Sequence, residues 1–220
     1  MRLLLTGFEP FGGSTINPSQ EVVRAIEAQR AQSDGIELRT RILPVEAERG
    51  PATLIKAIDE TRPDAALCLG ESGRAAAITI ERVFINLADY RIADNAGVAL
   101  ANRAIIAGGP AAYFSTLPVD TLRDAVAAAG VGVEFSLSAG AFLCNHVAYA
   151  MLHYLRQRRR AIPAGFVHLP RLPEQVRGRR GGPSMPLDEM VRSVRAMIEA
   201  LASSPRRSRS GGRSRARGRS

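Results

Sequence analysis

Short apolar runs alternate with longer amphipathic stretches along the first half of the chain. Residues 2–8, 36–45 and 64–70 are predicted strands, and the third is apolar after Asp64, which is typical of a parallel sheet. Residues 17–32 and 47–62 are predicted helices, because their apolar side chains recur at helical spacing. Helices between strands indicate crossover connections and a parallel sheet.

The second half repeats this alternation with one irregular interruption. Residues 75–87 are extended and β-branched, whereas residues 89–109 are polar and irregular and form a candidate site loop. The remaining predictions are helices over 116–129, 145–158 and 186–202, strands over 133–137 and 165–169, and a loop over 170–183. We therefore predict a single α/β domain with a mostly parallel central sheet and helices on both faces.

Composition places the chain among globular proteins of a reducing compartment. The 220 residues are 45% hydrophobic and 23% charged, and two cysteines are too few for a disulfide framework. No run approaches the roughly 20 apolar residues of a membrane span, and the N-terminus lacks the features of a signal peptide. We therefore predict a cytoplasmic location without membrane association.

The net charge of +9 belongs mainly to the C-terminal end. Residues 206–220 hold seven arginines and no acid, and subtracting these seven leaves +2 for the rest of the chain. We predict a catalytic domain over residues 1–202 and a disordered Arg/Ser/Gly tail over 203–220. The tail could contact polyanions nonspecifically, so nucleic-acid binding is an alternative function. No aromatic residue interleaves with its arginines, which argues against base stacking.

Cys144 is the strongest candidate nucleophile. It follows a predicted strand and Gly140 and stands where a helix begins. The helix dipole and the free N–H groups of a first turn both favour a thiolate there. Cys68, by contrast, lies in a wholly apolar run and is interpreted as a small core residue.

A thiol nucleophile needs a base, and the chain has three histidines. His146 lies two residues past Cys144 on the same helix and points elsewhere, so it is interpreted as structural. His153 is interpreted as a surface or packing residue. His168 ends a buried apolar strand and is the favoured base.

Glu81 interrupts a β-branched run, and an acid there is costly to bury unless it is paired. It either orients the base as the third member of a triad or belongs to an exposed or salt-bridged strand position beside Arg82. The sequence leaves both interpretations open.

The chain shows no signal for a metal or a nucleotide. Its histidines and cysteines have no metal-ligand spacing, and the loop over residues 7–13 lacks a phosphate-binding fingerprint. We predict no metal and no cofactor. Phe8 and Phe11 of this loop either pack in the core or form an apolar clamp for a small planar ring.

Several motifs, in order along most of residues 3–201, resemble the pyroglutamyl peptidase I (pyrrolidone-carboxylate peptidase) family. They are Leu4-Leu-Thr-Gly-Phe-Glu-Pro-Phe-Gly-Gly13, Asn17-Pro-Ser19, Glu81-Arg-Val83, Ile85-Asn-Leu-Ala-Asp89, Asp94-Asn95, Gly140-Ala-Phe-Leu-Cys-Asn-His146, Phe166-Val-His-Leu-Pro170 and Pro173-Glu-Gln175. The resemblance implies a single α/β domain with a twisted central sheet, commonly assembled as a tetramer. It also implies a cysteine exopeptidase that removes an N-terminal pyroglutamyl residue from peptides through an acyl-enzyme.

The same resemblance assigns roles to individual residues. It implies Cys144 as nucleophile, His168 as base, Glu81 as third triad member, Arg91 near the oxyanion, and Phe8, Phe11 and Phe142 around the pyroglutamyl ring.

The sequence departs from the family pattern at Glu71, Ile80 and Phe84, and the departure at residue 71 bears on the ring site. Glu71 stands where glutamine is frequent, and we place it among the candidate substrate-binding residues. An ionised Glu71 could accept the lactam N–H but could not donate to the lactam carbonyl. A different cyclic or blocked N-terminal amide is therefore an alternative substrate.

Overall fold

The computed structural model describes residues 1–29, 35–177 and 182–203. The strands are β1 (Arg2–Phe8), β2 (Glu37–Leu43), β3 (Ala65–Glu71), β4 (Ile78–Glu81), β5 (Val83–Ile85), β6 (Ala112–Phe114), β7 (Val133–Ser136) and β8 (Ala164–Leu169). The helices are α1 (Pro18–Ala28), α2 (Arg49–Thr61), α3 (Val119–Ala128), α4 (Leu143–Gln157), α5 (Pro173–Val176) and α6 (Leu187–Ser203).

Six strands form the central sheet in the order β2-β1-β3-β8-β4-β7. Strands β2, β1, β3 and β8 are mutually parallel, whereas β4 pairs antiparallel with β8 and β7 runs parallel to β4. The prediction of a mostly parallel sheet is confirmed. The reversal of β4 was not predicted, because alternation of apolar residues reveals a strand but not its direction.

Helices cover both faces of this sheet, as predicted for a single α/β domain. One core, which includes Leu5, Leu67 and Val167, lies under α1, α3 and α6. The other core, which includes Cys68 and Phe166, lies under α2 and α4. The two cores separate cleanly because successive residues of each strand point to opposite faces.

Several predicted elements differ from those observed. The extended segment over 75–87 divides into β4 and β5, and β5 pairs with the unpredicted β6 in a two-stranded sheet. The short helix α5 lies in the predicted loop over 170–183. The end predicted for the first helix, near residue 32, lies outside the described residues. So does the predicted tail, apart from Ser203, which ends α6.

Across the described parts of the chain, no helix combines the length and the apolar character that crossing a membrane requires.

Candidate active site

Cys144 is the second residue of α4, so the sequence placed it correctly at a helix start. Gly140 has φ +75°, which lets the chain turn into the helix with a conformation that L side chains rarely adopt. No side chain caps α4, and its first backbone bond runs from the His146 N–H to the Phe142 carbonyl. The N–H groups of residues 143–145 therefore lack an acceptor within the helix.

Gly70, near the end of β3, lies directly beneath the thiol. A Cβ atom at this position would lie 3.1 Å from Cys144 Sγ and 2.6 Å from the edge of the Phe166 ring. Gly70 also pairs in register with His168 of β8. The absence of a side chain at residue 70 thus leaves room for the thiol and the imidazole. Cys144 lies close enough to His168 for its charge to raise the pKa of the imidazole.

His168 and Glu81 form a buried pair. His168 Nδ1 lies 2.7 Å from Glu81 Oε1, and the two residues are only 6% and 2% exposed. Glu81 pairs in register with Phe166, two residues before His168, so both side chains project from the same face of the sheet. Of the two interpretations left open by the sequence, the observed partner of Glu81 is His168.

The neighbouring Arg82 is engaged elsewhere, because its guanidinium lies 5.4 Å from the Phe135 ring centroid. The second carboxylate oxygen of Glu81, Oε2, is buried and has no hydrogen-bond partner among the described residues.

The charge of His168 is set by opposing effects. Burial lowers the pKa of this imidazole, whereas the negative charge of Cys144, and the hydrogen bond and negative charge of Glu81, raise it. The net result raises the pKa of His168 to about 10. The imidazolium is therefore the favoured state of His168 at neutral pH.

An aromatic cluster forms one wall of the site. The Phe11 and Phe142 rings lie 6.0 Å apart, and Tyr90 packs edge-on against Phe142 at 4.7 Å. Phe8 lies outside this wall: it is 3% exposed and packs at 6.2 Å against Phe166 in the core. For Phe8 the geometry matches the core interpretation, whereas Phe11 is available to a ligand.

These groups surround a single cleft with a volume of about 1430 Å³. The predicted site residues that line it are Phe11, Glu71, Glu81, Arg91, Phe142, Cys144 and His168. Arg91 is exposed on the loop that the sequence singled out as a candidate site loop. Glu71 lines the cleft, but its carboxylate bonds to Arg171 and Gln175.

The other two histidines form hydrogen bonds with tyrosines. Tyr90 Oη lies 2.7 Å from His146 Nδ1, and burial lowers the pKa of His146 to about 4. Tyr113 Oη lies 3.0 Å from His153 Nδ1. Both arrangements agree with the structural roles predicted for these histidines.

Cys68 differs from Cys144 in its burial and in the pKa of its thiol. Cys68 is fully buried, and burial raises the pKa of its thiol to about 12. Within residues 1–29, 35–177 and 182–203, no group of three or more His, Cys, Asp or Glu side chains is arranged to hold a metal ion.

Sequence reasoning missed Asn145, which holds the segment after β4 against the start of α4. This fully buried side chain accepts the Ile85 N–H and donates to the carbonyls of Ile85 and Leu87. Its place beside Cys144 in a motif was visible in the sequence. Its partners, 58 and 60 residues away, were not.

Known proteins resemble this chain over most of its length. A family model described as pyroglutamyl peptidase matches residues 1–204. A pyrrolidone-carboxylate peptidase of Vibrio vulnificus is 46% identical over 197 residues, which cover 90% of this chain and 91% of that protein. Another from Brevibacillus brevis is 38% identical over 204 residues, which cover 93% and 94% of the two chains.

Solved structures agree with the sequence comparison. Pyroglutamyl peptidase I from Bacillus amyloliquefaciens has a TM-score of 0.88 and 34% identity, covering 92% of this chain and 97% of that one. Pyrrolidone carboxyl peptidase from Pyrococcus furiosus has a TM-score of 0.87 and 34% identity, covering 91% and 98%. The chain therefore belongs to the pyroglutamyl peptidase family. It is a cysteine peptidase similar to pyroglutamyl peptidase I.

Proposed function

We propose that this protein hydrolyses the amide bond after an N-terminal pyroglutamyl residue of peptides, through a Cys144–His168–Glu81 triad. The observation that carries the proposal is the 2.7 Å contact between His168 Nδ1 and Glu81 Oε1, with Cys144 in the same cleft and close enough to raise the pKa of the imidazole. Because Nδ1 is engaged by Glu81, Nε2 is the ring nitrogen left to exchange protons with the thiol and the substrate.

Acylation begins when the Cys144 thiolate attacks the pyroglutamyl carbonyl carbon and forms a C–S bond. The carbonyl oxygen becomes an oxyanion, which the N–H groups at the start of α4 and the Arg91 guanidinium would stabilise. Losing one such donor typically costs about 2.7–4 kcal/mol of transition-state stabilisation. The His168 imidazolium then protonates the leaving nitrogen, the C–N bond breaks, and the shortened peptide departs as an amine.

Deacylation reverses the proton transfers. Neutral His168 takes a proton from water, the hydroxide attacks the thioester carbonyl, and the C–S bond breaks to release pyroglutamate and the thiolate. The proton stays on His168, which restores the starting ion pair. Glu81 holds the imidazole and stabilises its charge throughout.

Phe11 and Phe142, with the buried Tyr90 packed against Phe142, suit the pyroglutamyl ring. A pyroglutamyl residue has no charged α-amine, so its lactam can lie against aromatic surface without an acidic anchor. Rings in offset or edge-on contact would hold such a small, flat group.

The test uses a pyroglutamyl aminomethylcoumarin amide as substrate. We expect the wild-type protein to release the fluorophore and Cys144→Ser to abolish release. Iodoacetamide should inactivate the wild type by alkylating Cys144, while mass spectrometry finds the buried Cys68 unmodified. Absent wild-type activity would refute the substrate. Substantial activity of Cys144→Ser would refute the nucleophile.

A different cyclic or blocked amide remains the second candidate for this site, because Glu71 replaces a frequent glutamine. Parallel assays of pyroglutamyl, prolyl and acetyl-amino-acid amides separate the two candidates. We expect the pyroglutamyl amide to be the best substrate, since the Glu71 carboxylate is occupied by protein partners and does not reshape the ring site by itself.

Two free cysteines support our further proposal of a cytoplasmic location. The homo-oligomer implied by the resemblance stays a prediction, which sedimentation equilibrium would test. Contact of the tail with polyanions also stays a prediction. A chain truncated at Ser204 tests it by RNA retention at low and high salt, with unchanged peptidase activity expected.

A further inference from the structure

Glu71 is the last residue of β3, and its side chain points away from the nucleophile. Gly70, one residue earlier, faces Cys144, and successive strand residues point to opposite faces of the sheet. Glu71 therefore projects toward the face that holds Leu67 and Leu69. Although Glu71 lines the cleft, its carboxylate does not share the face of the sheet that carries His168.

Both carboxylate oxygens of Glu71 already have donors. Arg171 Nε donates to Oε1 at 3.2 Å, and Gln175 Nε2 donates to Oε2 at 2.9 Å. The Glu71 side chain is only 8% exposed, whereas that of Arg171 is 33% exposed. A lactam N–H would have to displace one of these donors, and displacing Arg171 would separate a largely buried ion pair.

The donors belong to the segment that follows the proposed base. Arg171 and Gln175 lie three and seven residues after His168. The side-chain oxygen Oε1 of Gln175 accepts the Leu172 N–H, which holds the side-chain amide of Gln175 in place. Gly73 makes room for the guanidinium, because a Cβ there would lie 2.6 Å from Arg171 Cζ.

Gln175 also reaches the loop after Phe11. Its Nε2 lies 3.4 Å from Ser14 Oγ and 3.4 Å from the Ile16 carbonyl oxygen. The Glu71–Arg171–Gln175 cluster thus joins three segments around the cleft: the loop that follows Phe11, the β3 end beneath Cys144, and the chain leaving His168.

We propose that Glu71 is a positioning residue whose carboxylate fixes these three segments through Arg171 and Gln175, and that it does not bind the substrate ring. The inference rests on the proposed function, since it concerns the ring site of that reaction. It assigns the glutamate at residue 71 a partner within this chain, the Arg171 guanidinium, which a neutral glutamine could not neutralise.

The two possible roles of Glu71 predict opposite results for Glu71→Gln. If residue 71 bound the lactam, glutamine would add an N–H donor for the ring carbonyl and lower KM. If Glu71 positions the loops, glutamine leaves Arg171 without its counter-charge, and KM for the pyroglutamyl coumarin amide rises about tenfold. A KM that falls or does not change would overturn the proposal.

A double-mutant cycle with Arg171→Gln provides an independent test. We expect each single variant to raise KM by a similar factor and the double variant to have a KM no higher than either. The reason is that all three variants lose the same Glu71–Arg171 ion pair. Effects that multiply in the double variant would overturn the proposal. Glu174→Gln is the matched control for loss of one negative charge, because this exposed neighbour is not among the hydrogen-bond and ion-pair partners of Glu71.

Alkylation of Cys144 by iodoacetamide separates failure of this proposal from failure of the proposed function. The rate should stay within about twofold of wild type in Glu71→Gln, since Cys144 and His168 keep their contacts. Unchanged alkylation with raised KM supports the positioning role. An equal loss of alkylation would show that the variant disturbs the nucleophile itself and would overturn the proposal.

Discussion

His168 and His146 are two largely buried histidines with opposite charge preferences. Each has an oxygen 2.7 Å from Nδ1, but the oxygen belongs to the Glu81 carboxylate in one case and to the Tyr90 phenol in the other. Burial lowers the pKa of His146 to about 4, whereas anionic neighbours overcome the effect of burial and raise that of His168 to about 10.

The difference shows that burial alone does not select the base. A buried imidazole hydrogen-bonded to a neutral phenol stays uncharged. The same ring beside Cys144 and the Glu81 carboxylate holds a proton that it can deliver. His146 is closer to Cys144 along the chain, yet the histidine that pairs with Glu81 is His168.

Replacing each histidine by glutamine gives the largest expected contrast. We expect His168→Gln to lower kcat for the pyroglutamyl coumarin amide about 10³-fold, because proton transfer to the leaving amine is lost. His146→Gln should cost less than about tenfold, since it removes only a support behind Tyr90. Comparable losses of kcat in the two variants would contradict the different roles assigned to the two histidines.

Removing the charge of Glu81 should have the next largest effect. Glu81→Gln is expected to lower kcat about 10²-fold, because the amide neither stabilises the imidazolium nor enforces its orientation. It should also lower the pKa of His168 and shift the alkaline limb of the rate profile to lower pH. Glu134→Gln, a more exposed carboxylate at the same cleft, is the control, with a change below about threefold. An unshifted profile in Glu81→Gln would contradict the assigned role.

The pH dependence of stability should have opposite signs for the two histidines. Between pH 6.5 and 4 the unfolded chain protonates His146 and the native protein does not, so unfolding free energy falls as pH falls. Between pH 6.5 and 10 the native protein holds a proton on His168 that the unfolded chain lacks, so stability falls as pH rises.

Urea unfolding at pH 5, 7 and 9 measures both trends. His146→Gln should remove about 1 to 2 kcal/mol of the loss between pH 7 and 5, and His168→Gln should flatten the decline between pH 7 and 9. Wild-type-like slopes in both variants would show that other groups control the pH dependence.

The smallest effect is expected from Tyr90→Phe. The variant loses the hydrogen bond to His146 Nδ1 but keeps the ring against Phe142. We expect about 1 kcal/mol lower unfolding free energy and kcat/KM within about threefold of wild type. A large fall in kcat/KM would mean that the phenol hydroxyl takes part in the reaction.

The sequence predicted most strands and helices because their apolar periods differ. It also placed Cys144 at a helix start and His168 near a strand end, since both are local features. The sequence did not predict that β4 runs antiparallel to β8, because the direction of a strand depends on which strand it pairs with. The partner of Glu81 was open for the same reason: Arg82 is adjacent, whereas His168 is 87 residues away.

Aromatic residues illustrate a second limit of prediction from the sequence. Phe8 and Phe11 lie on the same loop motif, yet Phe8 packs on Phe166 in the core and Phe11 faces the cleft. Their chemistry is identical, so only the path of the loop separates them. Likewise, the sequence did not predict the partners of Glu71. They lie on the chain after His168, which only the fold brings beside the end of β3.

The charge state of His168 can be observed directly by NMR of the protein labelled with ¹⁵N-histidine. Only three histidines contribute, and His168→Gln identifies the relevant signals by their loss. We predict that at pH 7 both ring nitrogens of His168 carry protons while His146 is neutral, and that Glu81→Gln lowers the pKa of His168. A neutral His168 at pH 7 in the wild-type protein would contradict the account.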